Sequence, residues 1–407
     1  MLPEQSILGF GEGKGLFLPM LEERRRGEAV QRGGVFEASE RGEGEGEAEG
    51  AEEVAKYWAH TERGTKLFDS MPTQKQWEFA RKRQAMYAGL RSFFTAEGYW
   101  EVETPCMVAF PSMELHIESF EVCLCRQGGR GPQKLYLHAS PEYAMKRLLA
   151  DGSPPLFQIG KAFRNEELSA LHNPEFSMLE FYRPHSDYRA IMEDTEGALA
   201  AAERAVLRGR GFFSQRPYER VTVREAFLRE TGIDIGAYIS TQGRHDGRGL
   251  REAALAGGIF VGSSEAFEDV FFQIFLERIE GKLGRERPTF LLEYPACMAA
   301  LARLKPGEAR FAERVELYAR GVELGNGFSE LNDAIEQRRR LEEERRQRES
   351  LGRVAHRVDE GFLRALPRMP ASSGIAVGLD RVLMLLLGAN SIAEVLLFPV
   401  EEFFGWS

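Results

Sequence analysis

The sequence predicts an α+β protein: an antiparallel β-sheet flanked by helices. Strand-like runs outnumber the simple strand–helix–strand alternations that a doubly wound parallel sheet requires. Strand patterns also succeed one another late in the chain, in TFLLEYP and VELYARGVELGNGFSEL, and amphipathic helical patterns stand on either side of such runs.

The elements follow in order. WEFARKRQAMYAGLRSFFTAEG spaces Phe79, Met86, Leu90, Phe93 and Phe94 at helical intervals with charge between them, which gives an amphipathic helix ended near Gly98. YWEVETPCM alternates Trp100, Val102 and Thr104 against Glu101 and Glu103, a strand that Pro105 stops. KLYLHASPEYAMKRLLADG reads as a strand at 135–137, a turn at Ser140 and Pro141, and a short helix from Glu142 to Leu149 with Gly152 beyond its end. LFQIGKAF is a further strand and leads into FRNEELSALHNPEFSMLEFYRP, residues 163–184. Residues 190–285 hold two helical patterns and a glycine-rich region, 243–262, with no legible chemistry. After the two late strand runs, EQRRRLEEERRQRES is a charged helix, and SSGIAVGLDRVLMLLL is a strand, a glycine turn and an apolar helix. No internal repeat emerges.

With 407 residues, 43% of them hydrophobic, the chain can bury a sizeable core. Lys plus Arg is 53 and Asp plus Glu is 63, so the net charge of −10 argues against a general nucleic-acid coat protein and leaves a local basic site open. Cys106, Cys123, Cys125 and Cys297 show no C-x2-C pair and no histidine at zinc-ligand spacing, and are expected to be reduced, mostly buried thiols of a cytoplasmic protein. No secretory leader pattern and no apolar run approaching 18 residues occurs, so no membrane is expected. Residues 37–53, EASERGEGEGEAEGAEE, bring too little apolar surface to offset the entropy of ordering. Residues 1–70 are therefore expected to be a disordered, low-complexity acidic extension ahead of a catalytic domain at 71–407.

The stretch 163–184 concentrates charge among side chains that are ordinarily internal. Arg164 stands beside Glu166, and Asn173, Glu175 and Glu180 follow among Phe163, Phe176, Met178, Leu179 and Tyr182. Buried charges require partners, so a structural ion-pair network is the plain reading. The functional one is a planar guanidinium fork gripping a phosphate or carboxylate. Glu142, at a helix start, is either a macrodipole partner or an anionic seat for an ammonium group. Glu323 and Glu330 lie seven apart, which puts them on opposite faces of a regular strand. Gly325 and Gly327, on either side of Asn326, permit a bulge that returns both to one face. Two carboxylates on one face suit Mg²⁺, which leaves its other positions to water and phosphates; exposed glutamates flanking a loop are the alternative. Arg381, on the first turn of an apolar helix, is costly to bury without an anion such as a triphosphate. No G-x-x-x-x-G-K-[ST] loop is present.

Together these stretches resemble the catalytic core of class II aminoacyl-tRNA synthetases, closest to the lysine type. FFTAEGYWEVETP resembles the first motif, FRNEE…HNPEFSMLEFY the second and GIAVGLDR the third, with LGNGFSELND in the order that family places it, over residues 75–400. The resemblance implies that Arg164, Glu166 and Arg381 are catalytic: Arg164 and Glu166 clamp the α-phosphate and adenine, and Arg381 holds the γ-phosphate. Asn165 and Asn173 would lie beside ATP, Phe176 would stack on the purine, Glu323 and Leu324 would contact ATP, and Gly378 would line the nucleotide. Ser140, Pro141, Glu142, Tyr182, Asn326, Glu330 and Ala376 would form the amino-acid pocket, with Glu323 and Glu330 as the Mg²⁺ ligands. A homodimer is implied by the first motif.

Two departures refine the resemblance. A tRNA-charging lysine enzyme carries an anticodon-binding β-barrel ahead of the first motif, where this chain has about 70 residues too polar and irregular for five strands. Its third motif also has Gly where this chain has Ala376. Both departures, like YPACMAALARL and SPEYAMKRLL, resemble the elongation factor P (R)-β-lysine ligase family. The expectation is ATP-dependent activation of (R)-β-lysine or lysine and transfer to a lysine side chain of elongation factor P, with tRNA not an acceptor. A truncated lysyl-tRNA synthetase and a non-catalytic regulatory paralogue are the alternatives. The joint presence of Arg164, Glu166, Glu323, Glu330 and Arg381 argues against the paralogue. For the helix at Arg338–Arg346, a solvated face laced with Glu342, Glu343 and Glu344 is favoured over a docking surface.

Overall fold

The computed structural model describes residues 72–125, 132–240 and 244–401, all within one unit, Gly64–Ser407; the expected extension at 1–70 lies outside the described residues. Helix α1 (Gln74–Ala96) starts on a capping box, in which the Thr73 side chain accepts from Gln76 N and the Gln76 side chain accepts from Thr73 N. It ends where Gly98 takes φ +80. Its Met86, Leu90 and Phe94, spaced by four, are buried.

Strand β1 (Trp100–Glu101) is followed by β2 (Met107–Val108), β3 (Glu121–Leu124) and β4 (Gln133–Leu137), the last three forming a small sheet in the order β2-β4-β3. Helix α2 (Glu142–Ala150), β5 (Leu156–Phe163), β6 (Glu175–Pro184) and α3 (Tyr188–Leu207) come next. A helical segment then holds β7 (Glu219–Thr222), α4 (Val223–Thr231), α5 (Gly247–Ala256) and α6 (Phe267–Arg278). The chain closes through β8 (Thr289–Pro295), β9 (Phe311–Ala319), β10 (Val322–Ser329), α7 (Ala334–Ser350), α8 (Glu360–Ala365), β11 (Ser372–Gly378) and α9 (Leu379–Leu387). The main sheet has eight strands in the order β1-β5-β6-β11-β10-β9-β8-β7. Among the described residues only the two outermost pairs, β1 with β5 and β7 with β8, are parallel.

Side chains alternate faces along a strand, and this divides the sheet between core and site. Leu179 and Phe181 of β6, Val315 and Leu317 of β9, and Ile375 and Val377 of β11 join Leu90 and Phe94 of α1 and Ile191 and Leu199 of α3 in the largest core. Phe94 stacks on Phe157 at 4.8 Å and lies 4.7 Å from Phe181, so one ring ties α1 to β5 and β6. Truncating such a buried ring costs about 3–5 kcal/mol. A second core joins α4, α5 and α6 to Leu291, Tyr294 and Phe311.

Three expectations are corrected. The first motif's strand stops at Glu101: Val102 N still donates to Phe157 O at 2.9 Å, but beyond it Thr104 N donates to the Gln158 side chain and Pro105 has no N–H. Residues 190–285 hold four helices and a strand; α5, GRGLREAALA, buries only Leu250 and Ala254 besides a glycine, too sparse a pattern to read as a helix. All four cysteines are exposed, three of them on or beside the thin three-stranded sheet.

Candidate active site

The site lies on the sheet face opposite the largest core, with β11 as its floor. Gly374, Ala376 and Gly378 share that face, each two residues and about 7 Å from the next. Across β11 they pair with Tyr182, Glu180 and Met178 of β6, while Phe328 and Asn326 of β10 lie opposite Gly374 and Ala376 on the other side. A bulge between Glu323 and Gly325 makes Leu324 the extra residue, so Glu323, opposite Tyr318, shares a face with Asn326 and Phe328, opposite Glu316 and Arg314. The glycines serve this closeness: a Cβ on Gly325 or Gly327 would lie 2.6 Å from Ala376 O or 2.7 Å from Gly374 O. Neither takes a left-handed φ.

At the Gly378 end, a cleft is lined by Arg164, Phe176, His172, Glu323 and Arg381. The Arg164 guanidinium lies 5.3 Å from the Phe176 ring centre and 3.7 Å from Glu167, and its Nε is buried without a hydrogen-bond partner. Arg381 donates to Leu171 O at 3.1 Å and Glu323 O at 2.8 Å, and its Nη2 stands 2.7 Å from His172 Nε2. Guanidinium only donates, so Nε2 accepts and the His172 proton sits on Nδ1, 2.8 Å from Ser169 Oγ. Burial, then Arg381, holds the His172 pKa below the ordinary imidazole value. Arg381 thus meets neutral acceptors, and among the described residues it has no carboxylate within ion-pair distance. Glu323 is pushed up to about 7 by burial and by neighbouring Glu316. Asp380 anchors the cleft to α1 by pairing with Arg83 and accepting from Ser177 N at 2.7 Å.

At the Gly374 end, three acids from three elements converge. Glu180 accepts from Ser140 Oγ at 2.6 Å and Tyr182 Oη at 2.7 Å. Ser140 Oγ also accepts from Glu142 N at 3.0 Å, fixing the start of α2. Lys146 Nζ stands 2.5 Å from Glu142 Oε1 and 2.5 Å from Glu330 Oε2. Burial, then Glu142, pushes Glu180 up to about 8, and burial raises Glu330 to about 7 against the pull of Lys146. A Cβ on Gly374 would meet the Tyr182 ring at 2.2 Å and Glu330 Oε1 at 2.9 Å, so only glycine fits beneath them. Two buried acceptors remain unmatched here, Asn326 Oδ1 and Glu330 Oε1.

Residues 61–402 match the family model for class II tRNA synthetases (D, K and N). Two curated proteins named elongation factor P–(R)-β-lysine ligase are similar to the chain over 324 residues, 79% of this chain and 94% of each relative. The one from Hamiltonella defensa subsp. Acyrthosiphon pisum (strain 5AT) is 39% identical and the one from Salmonella typhi 40%. The chain belongs to the elongation factor P (R)-β-lysine ligase family, within the class II synthetases. The antiparallel-dominated sheet flanked by helices is the class II fold expected from the sequence.

Within this ligase-family fold the expected residues separate. Arg164, Asn173, Phe176, Glu323, Leu324, Asn326, Ala376, Gly378 and Arg381 line one cleft. Ser140, Glu142, Tyr182 and Glu330 gather at the other end, where Pro141 precedes α2 as its cap residue. Leu324 packs its side chain into the largest core. Glu166 and Asn165 are exposed, Glu166 with φ +67, and it is Glu167 that lines the cleft. The bulge brings Glu323 and Glu330, the expected Mg²⁺ ligands, to one face, with Glu330 beside Lys146 and Glu323 beside Glu316. Among the described residues no group of three or more His, Cys, Asp or Glu is placed to hold a metal ion. Lys146, Glu180, His172 and Glu316 were not assigned from the sequence. Arg338, partly exposed, and Arg339, exposed, pair with Glu360 and Glu336, whereas Arg340 is largely buried, pairing with Glu336 and donating to Ala300 O and Ala302 O. Among the described residues no helix is long and apolar enough to cross a membrane.

Proposed function

We propose that the chain activates (R)-β-lysine with ATP and transfers it to a lysine side chain of elongation factor P. The observation that carries this is the pairing, along one strand, of a cleft whose Arg164 Nε and Arg381 lack a carboxylate partner with a pocket of three acids, Glu180 and Glu330 buried and Glu142 nearly so. An amino acid lying along β11 has its ammonium groups at the Gly374 end and its carboxylate toward Ala376 and Asn326. That carboxylate attacks the α-phosphorus of ATP, the bond to the bridging oxygen breaks, and pyrophosphate leaves. Arg164 and Arg381 offset the charge on the phosphoryl oxygens and align the two anions. Phe176, already carrying the Arg164 guanidinium on one face, suits the purine.

The donor set at the cleft suits Mg²⁺: Glu323 is a hard oxygen donor beside Glu316, and Mg²⁺ commonly takes one or two carboxylates and completes its shell with phosphates and water. Glu316 already accepts from Tyr318 at 2.7 Å and from Arg314 at 2.6 Å, so Glu323 is the freer ligand. When bound there, Mg²⁺ supplies charge neutralisation on the phosphates. In the second step an uncharged lysine amine attacks the carbonyl carbon, AMP leaves, and the amine gives up a proton. Residues 71–407 would supply this catalytic unit. A second copy would meet the edge strand β1 and α1, where Trp100 and Trp77 are exposed.

The test is ATP–pyrophosphate exchange with (R)-β-lysine and with lysine, followed by mass analysis of elongation factor P incubated with enzyme and ATP. Exchange with either and one added lysyl unit are expected. Charging of tRNA without modification of the factor would favour the truncated synthetase.

A further inference from the structure

Lys146 stands out as a buried cation that the reaction outlined above does not use. A lysine four residues after a glutamate on a helix ordinarily forms a surface pair worth a few tenths of a kcal/mol. Here the side chain is 1% exposed and its Nζ is closed between Glu142 of α2 and Glu330 beyond β10, at 2.5 Å from each. Its Nζ also lies 6.0 Å from the centre of the Phe328 ring. The third acid, Glu180, is held by two hydroxyls and no cation. Glu330 Oε1 is buried with no partner.

The formal charge of this pocket is one lysine against three carboxylates, 1 − 3 = −2. Two further acids, Glu114 and Glu344, face Glu142 from neighbouring elements; burial raises both carboxyls, Glu344 to about 8, against the pull of Arg164 and Arg314 on the one and Arg340 and Arg348 on the other, so they favour taking up protons. Tyr182 and Tyr143 face Glu142 as well, and both phenols are held neutral. Buried charge that lacks a counterion is costly, so without substrate Glu180, raised to about 8, keeps a proton, and the pocket reaches two negative charges only when two cationic groups arrive to match them.

We infer that Lys146 is a specificity-determining residue of the amino-acid pocket: as a fixed internal cation it sets the pocket at two negative charges, the complement of an amino acid bearing two ammonium groups. The inference rests on the reading of this pocket as the amino-acid site. A diamino acid satisfies both charges. A monoamino acid of the same length leaves one acid buried with nothing to neutralise it except a proton. Lys146 also keeps Glu142 and Glu330 from taking up protons in place of substrate.

The experiment compares wild type, Lys146→Met, which keeps the length and loses the charge, and Lys146→Arg, which keeps the charge. Pyrophosphate exchange is measured from pH 6 to 9 with (R)-β-lysine and with norleucine, separating KM from kcat and recording the KM for ATP. For Lys146→Met the amino-acid KM rises about tenfold or more, the half-maximal pH of kcat/KM moves up by about one unit, and the preference over norleucine shrinks, while the KM for ATP stays within about twofold. Lys146→Arg keeps the wild-type pH profile and the diamino preference even where kcat falls. A folded Lys146→Met with unchanged amino-acid KM and pH profile overturns the inference, as does an equal loss toward ATP and amino acid. Should the methionine variant not fold, loss of the diamino preference in Lys146→Arg, with the charge in place, overturns it instead. Wild type that exchanges with no diamino acid defeats the pocket assignment itself.

Discussion

Replacing Glu180 by glutamine should make the unliganded enzyme more stable at alkaline pH while destroying amino-acid binding. Burial and Glu142 push the Glu180 carboxyl from 4.5 up to about 8. A carboxyl raised in the folded state binds more protons folded than unfolded, so stability falls as pH rises between those two values and is lowest above the folded one. The difference, 8 − 4.5 = 3.5, at 1.36 kcal/mol per unit, corresponds to at most about 5 kcal/mol of destabilisation by the ionised group. Against this, glutamine has one side-chain oxygen where Glu180 uses two to accept from Ser140 and Tyr182, and losing one such bond costs about 1–3 kcal/mol. The net expectation is a gain of about 2–4 kcal/mol at pH 8.5 and none, or a small loss, at pH 5, where the wild-type group is already neutral. Urea unfolding at the two pH values measures it, with pyrophosphate exchange recording the rise in amino-acid KM. Equal stability of Glu180→Gln and wild type at pH 8.5 would refute the electrostatic reasoning.

Arg381→Lys should lower pyrophosphate exchange by about two powers of ten, since an ammonium cannot span Leu171 O, Glu323 O and His172 and still present a fork to phosphate; near-normal exchange would remove Arg381 from the phosphate site. Glu323→Gln should move the Mg²⁺ half-saturation of exchange upward by about tenfold, and an unchanged titration would place the metal elsewhere. Gly374→Ala forces Tyr182 and Glu330 aside, so the amino-acid KM should rise with little change in the KM for ATP, and stability should fall by about 1–3 kcal/mol, read from denaturant midpoints.

What was legible in the sequence depended on how local its cause is. Helix α1 announced itself because its apolar spacing and its terminating Gly98 lie within one stretch, while its capping box on Thr73 emerged only with the structure. Arg164 and Arg381 stood out because a guanidinium among apolar residues needs a partner whatever the fold, whereas Phe176 came only with the family resemblance. Glu180 stood within reach of the same logic, two residues from Met178 and Tyr182 on one strand face. Glu316 was hidden by register: nothing local says that it will lie opposite Asn326 once a bulge has intervened. Lys146 could be paired with Glu142 by counting, but its burial comes from Glu330 and Phe328, residues far along the chain. The shortness of β1 likewise depends on β5, with which it pairs.

The supernumerary Leu324 acts as a parity bit for the whole hairpin. Taking Leu324 into the ladder as an ordinary paired residue, with no bulge, would reverse the orientation of everything from Gly325 to Glu330, turning Asn326 and Glu330 toward the largest core and offering Gly327 and Ser329 to the substrate. Deleting Leu324 would straighten the strand and keep the observed faces, so its loss should be tolerated better than deletion of a paired residue such as Phe328, which shifts Glu330 off the site.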